Sequence, residues 1–275
     1  MHRSMTGRIG RITITSSVAL VAVLALPLAP SMGATGSDAP PPVTIEASSA
    51  TDAAGSVFQA GTFDYLVSPD YTGIAQIRTV IQAASREDVR GSVQGLGTFN
   101  DLSGELVIHR GVAYRVGLSG TPQPVPQQRL TPFAQAVAFA PQSNRVVPAN
   151  TTCAELDTII DDMVGTTAGM VAVRVRGVFR DLVTRSVPRQ SEPFPPLADV
   201  VANQTVFELG SQRAVLVGFR QGPNLAGIGA PGLHLHGITT DLTAGGHVLS
   251  CRVGSVHIAV QQVSDVVVAA GDVNE

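Results

Sequence analysis

The chain has 275 residues, with 18 basic and 21 acidic residues for a net charge of −3, and 44% of its residues are hydrophobic. This composition supports a sizeable core in one large or two small domains and excludes a wholly disordered chain. The mildly acidic balance leaves no electrostatic footprint for nucleic acid, so the expected partner is a small molecule.

All 18 basic residues are arginine. That removes Schiff-base chemistry, pyridoxal phosphate anchoring and the P-loop, each of which needs a lysine amine at a defined place. A metal, a carboxylate, a histidine or a hydroxyl must carry the chemistry.

Arg3, Arg8 and Arg11 precede an apolar run from Val18 to Leu28 and an exit of small residues at Ser31 to Ala34. This pattern reads as a secretory signal peptide over residues 1–34, with cleavage near Ala34. The apolar run is too short to span a bilayer, which takes roughly 20 residues. The mature chain is therefore expected to be secreted or in the cell envelope, free of the membrane, with 15 arginines against 21 acids. Residues 35–52, rich in Pro, Ser, Ala and Thr, read as a flexible leader, and the folded domain is expected over 53–275.

Short alternating segments follow, among them Glu105-Leu-Val-Ile-His109, Val171-Ala-Val-Arg-Val175 and Ala214-Val-Leu-Val217, which predict strands. One helix is predicted after Thr152, because Thr152 and Glu155 spell a capping box and Leu156, Ile159, Ile160 and Met163 follow at helical spacing. This helix separates two halves, about 53–150 and 151–275. A weak echo, Gly97-Thr-Phe-Asn-Asp-Leu against Gly177-Val-Phe-Arg-Asp-Leu, places Glu105 and Arg185 at equivalent points of the halves.

Gly227-Ile-Gly-Ala-Pro-Gly232 formally spells a dinucleotide fingerprint, but Pro231 lies inside it and a strand follows, so it reads as a loop. The sharpest signal comes next. His234 and His236 sit two apart in a strand and share a face, while Leu233 and Leu235 point to a core. With a hairpin loop over Asp241 to Ala244, His247 is expected opposite Ile238 and diagonal to His236, roughly 7–8 Å away between backbones. Three imidazoles with an open fourth position suit a catalytic zinc ion. The same register puts Cys251 opposite His234 on the metal-facing side. Cys153 and Cys251, the only cysteines, are then a disulfide, a buried free thiol or a fourth ligand. His109 and His257 stand alone and receive no role.

Taken together, the chain resembles the alpha-acetolactate decarboxylase family from about Val57 to His257. The resemblance is carried by Gly95-Leu-Gly-Thr-Phe-Asn-Asp-Leu-Ser-Gly-Glu-Leu106, Ala113-Tyr-Arg-Val, Thr131-Pro-Phe, Thr184-Arg-Ser-Val-Pro-Arg-Gln190, Pro193-Phe-Pro-Pro196, His234-Leu-His and Gly245-Gly-His-Val-Leu249. It implies an α+β fold of two sheet-rich halves with mixed and antiparallel strands, few helices and a metal site in the cleft between them. It further implies His234, His236 and His247 as zinc ligands, Glu105 and Arg185 as active-site acid and arginine, and Thr98 and Leu102 in the substrate pocket. Pairing into a homodimer is common in the family.

The implied reaction converts 2-acetolactate, a 2-hydroxy-3-oxo acid, to acetoin and CO2, with the metal as electron sink for an enediolate. The family returns a second glutamate from its C-terminal tail. Glu275 is the only glutamate after Glu208, so either it serves that role or the second acid is missing. Two alternatives stand beside this reading: a non-catalytic metal- or ligand-binding module derived from the decarboxylase, and a cupin-like metal oxygenase, which wants a glutamate soon after the His-x-His pair where Asp241 is the nearest acid.

Overall fold

The alternation in Val171-Ala-Val-Arg-Val175 and Leu233-His-Leu-His236 asks for strands with one face in a core, and the computed structural model folds both segments that way. The structure describes residues 9–13, 55–85 and 93–269. The expected leader and Glu275 lie outside these, as does the expected signal peptide apart from one short strand.

Among the described residues the strands are β1 (Ile9–Thr13), β2 (Ser56–Ala60), β3 (Ala75–Gln76), β4 (Val93–Thr98), β5 (Glu105–His109), β6 (Val112–Val116), β7 (Pro122–Pro124), β8 (Leu130–Thr131), β9 (Ala134–Ala138), β10 (Ser143–Val147), β11 (Met170–Ser186), β12 (Thr205–Glu208), β13 (Gln212–Gln221), β14 (Gly232–Thr239), β15 (Gly245–Val263) and β16 (Asp265–Ala269). The helices are α1 (Phe63–Val67), α2 (Ile77–Ala84), α3 (Cys153–Val164) and α4 (Leu197–Ala202).

One sheet runs β1-β16-β2-β9-β4-β5-β6-β7 and is mixed, because β16 pairs with β2 in parallel. The other runs β10-β15-β14-β13-β11-β12, entirely antiparallel, and a further pairing of β15 with β11 closes β11, β13, β14 and β15 into a ring. The sheet-rich α+β class with few helices is thus as expected. Two strands cross the expected midpoint: β10 joins the second sheet, and β16 joins the first.

The ring encloses a core of Val171, Val173, Val175, Leu216, Leu235 and Ile258, and α3 plugs it with Leu156 and Ile160, both fully buried. The predicted capping box is present: the Thr152 side chain accepts from the Glu155 backbone N–H, and Glu155 Oε2 accepts from the Thr152 N–H at 2.7 Å. Gly165 ends the helix in the left-handed conformation at φ 70°. Both ends of α3 are tethered to the ring. Cys153 is disulfide-bonded to Cys251 on β15, and Asp161 near the other end accepts from the buried Arg220 on β13 at 2.6 Å.

The expected place of Cys251 needs correction. On β15, Val248 pairs with Thr184 and Ser250 with Val183, which leaves Leu249 as an unpaired bulge residue. A bulge inserts one residue and reverses side-chain parity beyond it. Cys251 therefore faces the ring core and α3, away from the histidines, and is neither a free thiol nor a metal ligand.

Leu156→Ala is expected to cost roughly 2–5 kcal/mol of stability, the usual range for a large-to-small change in a closed core. Urea unfolding followed by circular dichroism measures it.

Candidate active site

The three predicted histidines converge on the outer face of the ring, toward the first sheet. His247 pairs with His236 on one side and with Arg185 on the other, so β11, β15 and β14 contribute one cross-strand row. Directly paired residues of antiparallel strands project to the same face. His234, two residues before His236, joins them.

This register differs from the expectation by two residues: His247 lies opposite His236, and Ile238 pairs with Gly245. Turn chemistry explains it. Asp241 Oδ1 accepts from the Thr239 and Thr243 hydroxyls and from the Thr243 N–H, while Thr239 Oγ1 accepts from the Thr243 and Ala244 N–H groups. The Thr239 N–H donates to the Ala244 carbonyl, so the chain reverses within 240–243 and pairing starts one residue earlier on each side.

The Nε2 atoms of His234 and His236 and the Nδ1 of His247 form a triangle with all three sides 3.2 Å. A tetrahedral zinc ion bound at roughly 2.0–2.1 Å has ligand–ligand edges of about 3.3–3.4 Å, so the donor set fits. His236 Nδ1 lies 2.8 Å from the Leu106 carbonyl, an oxygen that can only accept. That bond fixes the tautomer and leaves Nε2 with a free lone pair aimed at the other two nitrogens.

Burial favours neutral imidazoles. It pulls His234 down to about 4, helped by Arg185, and it holds His236 and His247 well below the ordinary histidine value, with the neighbouring histidines and Arg185 adding to the effect. The Leu106 carbonyl acts in the opposite direction on His236.

Glu105 faces this cluster from the first sheet. It is buried, with Oε2 3.6 Å from His236 Nε2 and Oε1 3.4 Å from Arg185 Nη1. Burial pushes its carboxyl up to about 7 against the opposing pull of Arg185. Oε1 has no hydrogen-bond partner among the described residues.

Thr98 pairs with Glu105 across β4 and β5, and its hydroxyl donates to the Gly104 carbonyl at 2.9 Å. Leu102 enters the same cavity from a tight turn in which both Asp101 and Leu102 have positive φ, 61° and 50°. Arg189 and the Gln190 N–H clamp that turn through the side chain and carbonyl of Asp101.

The cavity measures about 320 Å³ and is lined by every described residue of the predicted site. Sequence reasoning missed its apolar wall of Phe63, Leu66, Phe133, Val187, Leu197 and Val201. Four of these sit on α1 and α4, helices of five and six residues, too short for a periodic signal. The i, i+3 spacing of Phe63 and Leu66 is the one hint available. The Gly227–Pro231 segment is a loop as expected, with Gly232 opening β14, and its Ala230 and Pro231 line the cavity.

The echoed glycines share a conformation: Gly97 and Gly177 both lie in strands with positive φ, pressed against a neighbouring carbonyl. The chain then turns back after Gly97 but continues along β11 after Gly177. Glu105 and Arg185 accordingly meet across the cavity by different routes.

The fold and site define a protein of two large sheets and a small β3–β8 pair, with a largely buried three-histidine cluster facing a carboxylate and an arginine. The alpha-acetolactate decarboxylase family model matches residues 57–274, and the chain belongs to that family. This sets aside the cupin alternative.

The alpha-acetolactate decarboxylase of Klebsiella aerogenes is 34% identical over 157 residues, covering 57% of this chain and 60% of that protein. The Methanosarcina mazei protein of the same name is 34% identical over 193 residues, covering 70% and 64%. The chain thus spans less than two thirds of the length of these relatives. The crystal structure of alpha-acetolactate decarboxylase from Bacillus subtilis strain 168 superimposes with a TM-score of 0.72 at 28% identity, covering 78% of this chain and 88% of that one.

Gly246, between the paired histidine strands, has φ 134°, and a Cβ there would strike the Arg185 carbonyl. Gly246→Ala is expected to cost about 1–3 kcal/mol or more, because the strain falls on a backbone contact that cannot yield cheaply. Denaturant titration beside the wild-type protein gives the value.

Proposed function

We propose that this protein is a zinc-dependent decarboxylase that converts 2-acetolactate to acetoin and CO2. The observation that carries the reading is the equilateral triangle of histidine nitrogens, 3.2 Å on a side, set beside the Glu105–Arg185 pair. His234, His236 and His247 would hold the ion, which would supply a Lewis acid for the electron pair left when CO2 departs.

The chain's own residues do the rest. Arg185 presents a permanently charged fork to the substrate carboxylate and orients it for loss of CO2. Glu105, whose Oε1 faces Arg185 without a hydrogen-bond partner, holds the proton delivered to the carbon that CO2 leaves. Phe63, Leu66, Phe133 and Leu197 accept the methyl groups and keep water from the reacting carbons. Thr98 and Leu102 bound the pocket on the Glu105 side. Glu275 is proposed as the second acid, reaching the site from the C-terminal segment.

The reading includes export. The Cys153–Cys251 disulfide supports it, because such bonds persist in oxidising compartments. Cleavage near Ala34 would remove β1 and leave β16 at the edge of its sheet. Homodimer formation is carried as part of the same reading.

The direct test is zinc-loaded mature protein with racemic acetolactate, followed by chiral analysis of acetoin. Formation of one acetoin enantiomer supports the enzyme. Intact zinc binding with no acetoin favours the non-catalytic module instead.

His234→Ala, His236→Ala and His247→Ala are each expected to lose bound zinc and turnover together, because a three-ligand site has no spare donor. Wild-type zinc content by atomic emission in any one variant removes that residue from the site.

Removing Asp272 to Glu275 is expected to leave zinc content unchanged while slowing turnover by roughly 10²–10⁴, the scale of a general acid or base. Equal rates and equal acetoin handedness in truncated and full-length protein would assign the proton to Glu105 or water.

A further inference from the structure

We propose a second, anion-binding site on the outer face of the second sheet, where β10, β15 and β11 lie side by side, built from Arg174, Arg176, His257 and Asn144 and suited to a doubly charged oxyanion of the phosphate class. The residues surround a cavity of about 270 Å³ outside the active site. Strand register builds it. Arg174 and Arg176 are two apart on β11 and share a face; Arg176 pairs with His257, Arg174 pairs with Ala259, and Ala259 pairs on its other side with Asn144. The small Ala259 forms a floor between an arginine and an amide.

Arg174 is positioned, and neither arginine meets a counter-charge among the described residues. The Arg174 guanidinium lies 4.6 Å from the Phe139 ring centroid, which fixes its plane. Arg174, Arg176 and the nearby Arg110 face no carboxylate among the described residues, a condition other arginines share; what sets these three apart is that they lie together. They crowd one another. Burial, then Arg176 and Arg110, weakens the hold of Arg174 on its proton, and burial with Arg110 and Arg174 pulls His109 down to about 4.

Arg174 is half-buried and Arg176, His257 and Asn144 are exposed, so the like charges on this face repel one another within reach of solvent, and an anion bound between them removes that repulsion. Two guanidinium forks with further donors from His257 and Asn144 match a tetrahedral dianion with four acceptor oxygens better than a planar monoanionic carboxylate.

The site is separate from the catalytic one. Arg174, Val217 and His236 form one cross-strand row, and the buried Val107, Val116, Val217 and Ile238 stand between the two polar regions.

The test is isothermal titration of metal-loaded full-length protein at low ionic strength with inorganic phosphate, glycerol phosphate, sulfate and acetate. Saturable binding of the dianions, tighter than acetate, is expected. The R174Q/R176Q variant should weaken phosphate binding by about tenfold or more with metal content unchanged. Preference for glycerol phosphate would mark an ester as the natural source, and preference for inorganic phosphate the free ion. Absence of saturable phosphate binding, affinity no better than for acetate, or equal affinity in the double variant, as when the anion sits at the metal centre, overturns the proposal.

Discussion

The antiparallel pairing of β11 with β15 is the constraint on which the rest depends. It runs from Met170↔Val263 to Arg185↔His247 and is interrupted by bulges that leave Gly254, Arg180 and Leu249 without partners. Each bulge reverses which side of the strand faces the core. Along β11 the odd residues Val171, Val173, Val175 and Phe179 face the ring interior, but beyond Arg180 it is Leu182 that does so. Arg185 is thereby released to the outer face. On β15 the bulge at Leu249 lets Cys251 reach α3 while His247, four residues earlier, points to the cavity. An unbroken ladder would bury Arg185 in the valine core.

The first sheet supplies what the ring cannot. The Leu106 carbonyl holds His236, and the adjacent residue Glu105 faces Arg185. Burying a carboxylate or a guanidinium alone is costly, and the cost falls when each stands near the other. At 3.4 Å the pair sits beyond hydrogen-bond distance, and Glu105 Oε1 and His234 Nδ1 remain without partners. The site is therefore electrostatically incomplete, with a carboxylate oxygen and a cation held beside a space of substrate size. Preorganisation of this kind is provided by rigid strands, and the apolar residues of α1 and α4 keep the dielectric low around it.

Legibility of this arrangement in the sequence followed the range of each signal. The i, i+2 histidines, the alternating core residues and the capping box of α3 are local patterns, and all three are present in the structure. The partner of His236 was misread because the turn is set by Thr239 and Asp241 hydrogen bonds, not by loop length alone. Bulges leave no mark in composition, so the face occupied by Cys251 was not deducible from parity. The apolar wall escaped because its residues come from α1, β9's approach at Phe133, the segment after β11 and α4, and only the tertiary fold gathers them. Glu105 and Arg185 were identified through motif resemblance; their meeting across the sheets depends on pairings far apart in the chain.

The absence of lysine gives the arginines two distinct roles. Arg220 and Arg185 are each buried against carboxylates, where a planar fork can satisfy more than one acceptor with little loss of freedom. Arg174 and Arg176 have no such partner and are supported by an aromatic ring and a strand face instead. The valine and isoleucine septum around Val217 lies between Arg174 and the histidine cluster, since the neighbours of Val217 in its own row are Arg174 and His236. β5 spans the same interval, with Glu105 at the catalytic end and His109 beside the arginine cluster. Because both polar regions hang on the same strands in fixed register, neither can shift along those strands without moving the other.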